Sequence, residues 1–129
     1  MWTVYYNQNG SVAGRLEGRH KVEDAPYPGN YRIEYLVTSD DVREEAQRRI
    51  MALLGARDEQ HLDVLISNGS REAIRLLRKG AGNWTPKDRA RARQQEQIDL
   101  AIETIRTASN TLEAMEKIPM DYTDDMRWQ

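Results

Sequence analysis

Histidines and paired carboxylates are the side chains of this chain that could perform acid–base or metal chemistry. The two histidines, His20 and His61, have no second ligand at a spacing typical of metal sites. The carboxylates of Asp40-Asp41 and Glu44-Glu45 begin a predicted helix, where the helix dipole favours negative charge. We therefore interpret the histidines and the carboxylates as structural residues, not as a catalytic or metal-binding set.

Two further motifs match ligand-binding loops only in part. Asp121, Asp124 and Asp125 lack the glycine and the bidentate glutamate that a calcium loop requires. Gly80-Ala-Gly82 follows no predicted strand and precedes no Lys-Ser/Thr pair, unlike a phosphate-binding loop. The chain has no cysteine, which removes thiolate catalysis, disulfides and cysteine metal sites. The sequence thus predicts no catalytic residue, no cofactor, no metal and a non-enzymatic protein. A small hydrolase whose residues meet only in the fold is the remaining enzymatic alternative.

Composition and length set the scale of the fold that must position these residues. The 129 residues are enough for one domain. Hydrophobic residues make up 39% of the chain and charged residues 31%, and Phe is absent. We therefore expect a small core that burial against a partner would strengthen. No apolar run approaches the roughly 20 residues of a membrane span, and no signal-peptide pattern starts the chain, so we expect no membrane partner.

Residues 1–38 predict a small antiparallel sheet. Trp2 to Asn7 is rich in β-branched and aromatic residues, and Asn9-Gly10 is a strong hairpin signal before a returning strand at residues 11–18. Residues 31–37 alternate apolar and polar side chains, which predicts a third strand. We expect a three-stranded β-meander, with a helix laid against its apolar face.

The region 39–82 predicts three short helices. The first spans residues 40–54, with Thr38-Ser-Asp-Asp supplying its caps, and stops at Gly55. The second spans residues 58–67. Asn68-Gly69 is expected to end the second helix, with a third short helix after it. Strands followed by helices predict the α+β class.

The segment 83–129 predicts one long helix followed by a tail. Thr85-Pro86-Lys87-Asp88 begins the helix, because the threonine hydroxyl can cap the first turn and a proline needs no donor there. Apolar residues then recur at steps of three and four, as on one face of a helix. They form the face that we expect to contact a partner: Ile98, Ile102, Ile105, Leu112 and Met115.

The end of the chain carries a resemblance to a known family. It has the sequence Ser-Asn-Thr-Leu-Glu-Ala-Met from Ser109 and Pro-Met-Asp-Tyr-Thr-Asp-Asp-Met-Arg-Trp from Pro119. This ending resembles that of small tail-region proteins of tailed bacteriophages and prophages, and the Trp84-Thr85-Pro86 start of the long helix is similar as well. The matching ending covers about a sixth of the chain. It implies a virion tail component or a tail-assembly factor, and it carries no functional residue over.

The apolar residues of this acidic tail allow two interpretations. The tail either folds back over the helices of its own chain, or docks on another subunit with Tyr122 and Trp128 as aromatic anchors. In the second case, Asp124 and Asp125 would meet arginines of the long helix on a neighbouring chain. These arginines are Arg89, Arg91 and Arg93.

Basic residues are concentrated ahead of the acidic end. Residues 71–93 contain eight basic and two acidic side chains, whereas residues 113–129 contain two basic and five acidic ones. Such a charge run is typical of a solvated helix surface. It also permits nucleic-acid binding, although Trp84 is its only aromatic residue.

Together, the resemblance and the apolar helix face favour a phage tail structural or tail-assembly protein that acts through protein–protein contacts. Its expected partners are other phage tail proteins, in a homo-oligomer or hetero-oligomer. We expect it in the virion tail, or in the host cytoplasm during assembly. The alternative is a small phage-encoded regulator or inhibitor that binds a host protein or nucleic acid through residues 71–93, with nucleic acid the less favoured partner.

Overall fold

The chain begins with a three-stranded antiparallel sheet. The computed structural model describes every residue from Met1 to Gln129. Strands β1 (Trp2–Tyr6), β2 (Val12–Glu17) and β3 (Arg32–Leu36) lie in the order β2-β1-β3. The hairpin between β1 and β2 turns at Asn9-Gly10 as predicted, with Gly10 at a φ of 84°.

The predicted meander is wrong in its strand order. A meander would pair β3 with β2, but β3 pairs with the other edge of β1, with Tyr5 opposite Ile33. The connection from Gly18 to Tyr31 makes this possible because it passes over one face of the sheet. The hydroxyl groups of Thr3 and Tyr5 donate to carbonyl groups of that connection, at 2.7 Å to Gly18 and 2.8 Å to Lys21.

This connection, and not a helix, covers the apolar face of the sheet. Thr3 and Tyr5 are fully buried beneath it. The Tyr35 hydroxyl donates to the carbonyl of His20 at 2.9 Å, and the ring of Tyr31 meets Tyr5 edge to face with centroids 5.9 Å apart. These hydrogen bonds hold the connection against the sheet and satisfy some of its backbone carbonyls. The connection therefore takes the place of the helix that we expected on this face.

Three helices follow the sheet, and they confirm the α+β class. Helix α1 spans Ser39–Leu54, α2 spans Glu59–Lys79 and α3 spans Pro86–Glu113. The predicted starts of α1 and α3 are confirmed by capping boxes, Thr38 with Asp41 and Thr85 with Asp88. None of the three helices combines the length and apolar character needed to cross a lipid bilayer.

The predicted break at Asn68-Gly69 is wrong, because α2 continues through it as one helix of 21 residues. Gly69 is not among the glycines with positive φ, so its backbone does not leave the helix there. A glycine inside a helix costs about 1 kcal/mol relative to alanine. Leu62 and Leu76 are both buried along this helix, and their packing outweighs that cost.

The main core lies where α1, α3 and the tail meet. It consists of Val37, Val42, Ala46, Ala108, Leu112 and Trp128. Only 13 of the 129 residues are buried, so the core is small, as the composition suggests. Met1 and Val37 lie side by side at one end of the sheet, because Trp2 pairs with Leu36, and they carry its contact with this core.

Helix α3 is the scaffold for the other two helices. It has 28 residues and is therefore about 42 Å long at 1.5 Å per residue. Arg43 of α1 pairs with Glu113 at 2.7 Å, near the C-terminal end of α3. Lys79 of α2 pairs with Asp88 at 2.6 Å, near the other end. Hence α1 packs along the C-terminal half of α3 and α2 along its N-terminal half.

Candidate protein-interaction surface

An apolar groove opens where the end of α1 and the start of α2 meet over the middle of α3. Its volume is about 830 Å³. Half of its lining is apolar and comes from all three helices: Ala46, Ile50, Leu54, Leu62, Leu65, Ile66, Ala73, Ile98 and Ile102. We call this surface the three-helix groove.

Polar and charged side chains form the rim of the three-helix groove. Gln95 lines one side, where its amide donates to Asp99 at 3.1 Å. Asp99, Glu103 and Arg106 also line the rim, and none of the three forms an ion pair within the chain. An apolar floor with a polar rim is the usual composition of a site that binds another molecule.

A row of exposed apolar side chains on α2 continues the groove outward. Ile66 is 46% exposed, Ile74 49% and Leu77 80%. Ala73 follows Ile66 by seven residues, and Leu77 follows Ala73 by four and Ile74 by three, so these residues share one side of the helix. We call these four residues the α2 ridge. The sequence alone does not predict the ridge, because Asn68-Gly69 indicates a helix end and only the undivided helix has a continuous stripe.

The predicted interface residues of α3 divide between the groove and the core. Ile98 and Ile102 line the three-helix groove. Leu112 is only 2% exposed and belongs to the core, and Ile105 packs against that core. Met115 lies just beyond the end of α3 and is 37% exposed. Only the first two of these five residues therefore line a surface that a partner could enter.

The tail folds back over its own chain, which is the first of the two interpretations. The Trp128 ring is 5% exposed, and its Nε1 donates to the carbonyl of Tyr122 at 2.7 Å. The Arg49 guanidinium lies over that ring at 5.0 Å and also donates to the carbonyl of Thr123 at 2.8 Å. Trp128 and Tyr122 are thus held within the chain, so this fold does not offer them as anchors for another subunit.

The arginines expected to meet the acidic tail have other surroundings. Arg91 pairs with Glu72 at 3.2 Å. Arg89 and Arg93 lie with Trp84 and Pro86 around a shallow depression near the start of α3. Asp125 of the tail pairs with Arg49 at 2.9 Å instead. No contact within the chain brings these arginines to the tail, because the tail packs near the other end of α3.

A network of charged side chains joins α2 to the start of α3. The carboxylate of buried Asp88 accepts from Lys79 at 2.6 Å and from Arg75 at 3.0 Å. The hydrogen bond from Lys79 is the largest cause that holds the pKa of Asp88 well below its usual range. Hydrogen bonds from Arg75 and then Arg91 lower the pKa of Glu72 from 4.5 to about 2. The network therefore fastens two helices and uses three basic residues of the segment 71–93.

The remaining groups considered for chemistry have structural surroundings. His20 Nε2 lies 2.6 Å from the carbonyl of Glu17, and His61 Nδ1 accepts from the amide of Arg57 at 2.9 Å. No group of three or more His, Cys, Asp or Glu side chains is placed to hold a metal ion. Every buried side-chain nitrogen or oxygen has a hydrogen-bond partner. The groove and the ridge are thus the features that the chain's own packing leaves unexplained.

Comparison of the chain with protein-family models, with curated proteins and with solved structures finds no match to any of the three.

Proposed function

We propose that this chain is a structural or assembly protein of a phage tail that acts through protein–protein contacts. The three-helix groove, with the α2 ridge beside it, is the observation that supports a function through protein–protein contacts. The resemblance of the C-terminal ending to small phage tail-region proteins supports the phage-tail part. Its partners are other phage tail proteins, and its place is the virion tail or the host cytoplasm during assembly.

The dimensions of the three-helix groove fit a protein segment. On α3 its lining extends from Gln95 to Ser109, which corresponds to about 21 Å at 1.5 Å per residue. That length accommodates a helix of about four turns. An amphipathic helix that lays its apolar side into such a groove is a common mode of peptide recognition. The rim charges of Asp99, Glu103 and Arg106 would select among such helices.

The residues of the family-like ending have structural roles in this chain. Leu112 and Trp128 are in the core, and Tyr122 packs against it. The Asp124 carboxylate accepts from the amide of Met126 at 2.9 Å and caps the short 3-10 helix Asp125–Trp128. We infer that the ending specifies how the tail closes the core. Partner binding then belongs to the groove and the ridge.

Two measurements test the proposal. Mass spectrometry of purified phage particles asks whether the chain is a permanent virion part, and co-purification from infected cells asks which tail proteins it binds. We expect Ile98→Gln to reduce tail-protein recovery by about tenfold or more, because it places a polar amide in the groove. Leu100→Gln is the matched control, since Leu100 is on the same helix, 62% exposed and outside the groove lining. Absence from particles together with no tail protein bound would contradict the proposal.

The second candidate is a phage-encoded regulator or inhibitor that binds a host protein or nucleic acid through residues 71–93. It is favoured by five exposed basic residues that form no ion pair: Arg71, Arg78, Lys87, Arg89 and Arg93. The other three basic residues of the segment are occupied by Glu72 and Asp88. Nucleic-acid affinity that falls steeply with added salt would favour this candidate over the first.

A further inference from the structure

We propose that a second copy of this chain binds along the α2 ridge, so that two α2 helices pack antiparallel about a two-fold axis near Arg71. The inference deepens the proposed contact function and rests on it. It assigns the exposed apolar side of α2 to self-association, and it leaves the deeper part of the three-helix groove to another protein.

The order of side chains on α2 suits antiparallel packing with an identical helix. Ile66, Ser70, Ala73 and Leu77 follow at steps of four, three and four, so they form one stripe. Large residues stand at both ends of this stripe, and small ones stand at its centre. In an antiparallel pair, Leu77 of one copy therefore meets Ile66 of the other. Ser70 and Ala73 allow the two helix backbones to approach closely at the middle.

Burial of Leu77 supplies the apolar part of the contact. Leu77 is the most exposed large hydrophobic residue of the chain, at 80%. Ile66, which it would meet, also lines the three-helix groove. Leu77 of each copy would therefore lie at the edge of the other copy's groove. Burial of apolar surface is the main driving force for association.

Charge complementarity selects a second copy as the occupant. Asp63 and Arg78 are exposed on α2, and neither forms an ion pair within the chain. Asp63 lies eight residues before Arg71 and Arg78 lies seven after it. Antiparallel packing about Arg71 thus brings Asp63 close to Arg78 of the other copy. Two-fold symmetry repeats this ion pair, which is the self-complementarity that an isologous dimer requires.

The test is the association state of the purified full chain, measured by analytical ultracentrifugation over a range of concentrations. We expect the wild-type chain to form a dimer. Leu77→Gln should weaken dimerisation by about tenfold or more, because it removes the apolar group at each end of the contact. Leu100→Gln, which alters an exposed leucine of α3 away from the ridge, should leave the dimer unchanged.

A charge-reversal cycle tests the antiparallel arrangement itself. Asp63→Arg and Arg78→Asp should each weaken the dimer, because each brings like charges together. The double variant should restore association, because its two pairs are again of opposite sign. Far-UV circular dichroism verifies that each variant keeps its helices.

Three results would overturn the inference: a monomeric wild-type chain, a dimer insensitive to Leu77→Gln, or single variants that the double variant does not rescue. A monomer that still recovers tail proteins from infected cells would overturn the dimer and leave the proposed function standing. A dimeric chain that recovers no tail protein would support the dimer and count against the proposed function.

Discussion

At the scale of single residues, Trp128 closes the core from the end of the chain. Its ring lies among Val42, Ala108 and Leu112 in the core cluster, and Arg49 covers its outer side at 5.0 Å. Arg49 also donates to the carbonyl of Thr123 at 2.8 Å, so one arginine holds both the ring and the backbone of the tail. The tail is therefore part of the hydrophobic core.

We predict that Trp128→Ala lowers the free energy of unfolding by about 3–5 kcal/mol, because it leaves a cavity in a small core. Urea denaturation followed by circular dichroism measures this change. Met126→Ala is the control. Met126 lies two residues earlier and is 75% exposed, so its replacement should have little effect. Equal losses for the two variants would show that Trp128 does not close the core.

Glu72 and Asp88 make the junction of α2 and α3 sensitive to acid. Folding lowers the pKa of both carboxyls, that of Glu72 from 4.5 to about 2. Their ionised forms therefore stabilise the folded chain fully above the ordinary carboxyl range. This contribution is lost as pH falls through the lowered pKa values, because protonation then breaks the pairs with Lys79, Arg75 and Arg91.

We predict that the wild-type chain loses stability between pH 4.5 and about 2, within the range of the lowered Glu72 pKa. The double variant Glu72→Gln, Asp88→Asn should be less stable at pH 7 and should lose less on acidification. Denaturation midpoints measured at several pH values test both statements. Glu96→Gln, an exposed carboxylate of α3 without an ion pair, is the control. An equal loss of stability on acidification in the wild type and the double variant would contradict this prediction.

At the scale of elements, the continuity of α2 creates both the ridge and one wall of the groove. A Cβ added at Gly69 would lie 3.6 Å from the Gln95 side chain, which is an ordinary van der Waals distance. The glycine therefore has no steric need to be there. Gly55, in contrast, ends α1 with a φ of 69°, in the left-handed region that favours glycine.

We predict that Gly69→Ala raises the free energy of unfolding by up to about 1 kcal/mol, because alanine is the better helix former. The matched control, Gly55→Ala, should lower it by about 1 kcal/mol, because alanine is strained at positive φ. Chemical denaturation of both variants at one low protein concentration provides the comparison. A lower free energy of unfolding for Gly69→Ala would contradict this prediction, because it would show that the helix requires glycine at this position.

At the scale of the whole molecule, packing is uneven along α3. The core cluster gathers at the C-terminal half of α3 with α1 and the tail, whereas α2 has only Leu62 and Leu76 buried. Three large apolar residues of α2 are more than 45% exposed on its ridge alone: Ile66, Ile74 and Leu77. Helix α2, which offers the binding surface, thus has the fewest buried residues of the three helices.

We predict that backbone amides of α2 exchange with solvent deuterium at least about tenfold faster than those of α1, because regions with few buried contacts open more readily. Mass spectrometry of the exchanging chain, at a concentration that keeps it monomeric, measures this difference. A bound partner on the ridge or in the groove should slow exchange in α2. Uniform protection of the three helices would contradict the uneven packing.

How much of the fold the sequence predicts depends on how far apart the interacting residues are. The hairpin turn at Asn9-Gly10 and the helix starts at Thr38 and Thr85 are fixed by neighbours within a few residues, so they could be predicted. The order of strands β2-β1-β3 depends on a long connection crossing the sheet, which no local pattern reveals.

The candidate site shows the same division. Ile98 and Ile102 were predicted from the helical spacing of α3, because that helix has one continuous apolar stripe. Ile66 and Leu77 are not predicted, because Asn68-Gly69 is typical of a helix end, whereas α2 continues through it in the structure. The burial of Trp128 was one of two alternatives that the sequence left open.

The α+β class, the hairpin, the helix starts and the apolar face of α3 can be predicted from the sequence, since each follows from local backbone preferences and side-chain period. The strand order, the continuity of α2, the place of the tail in the core and the open groove become visible only in the folded chain. Those features depend on contacts between residues that are far apart in the sequence, and these contacts form only when the whole chain has packed.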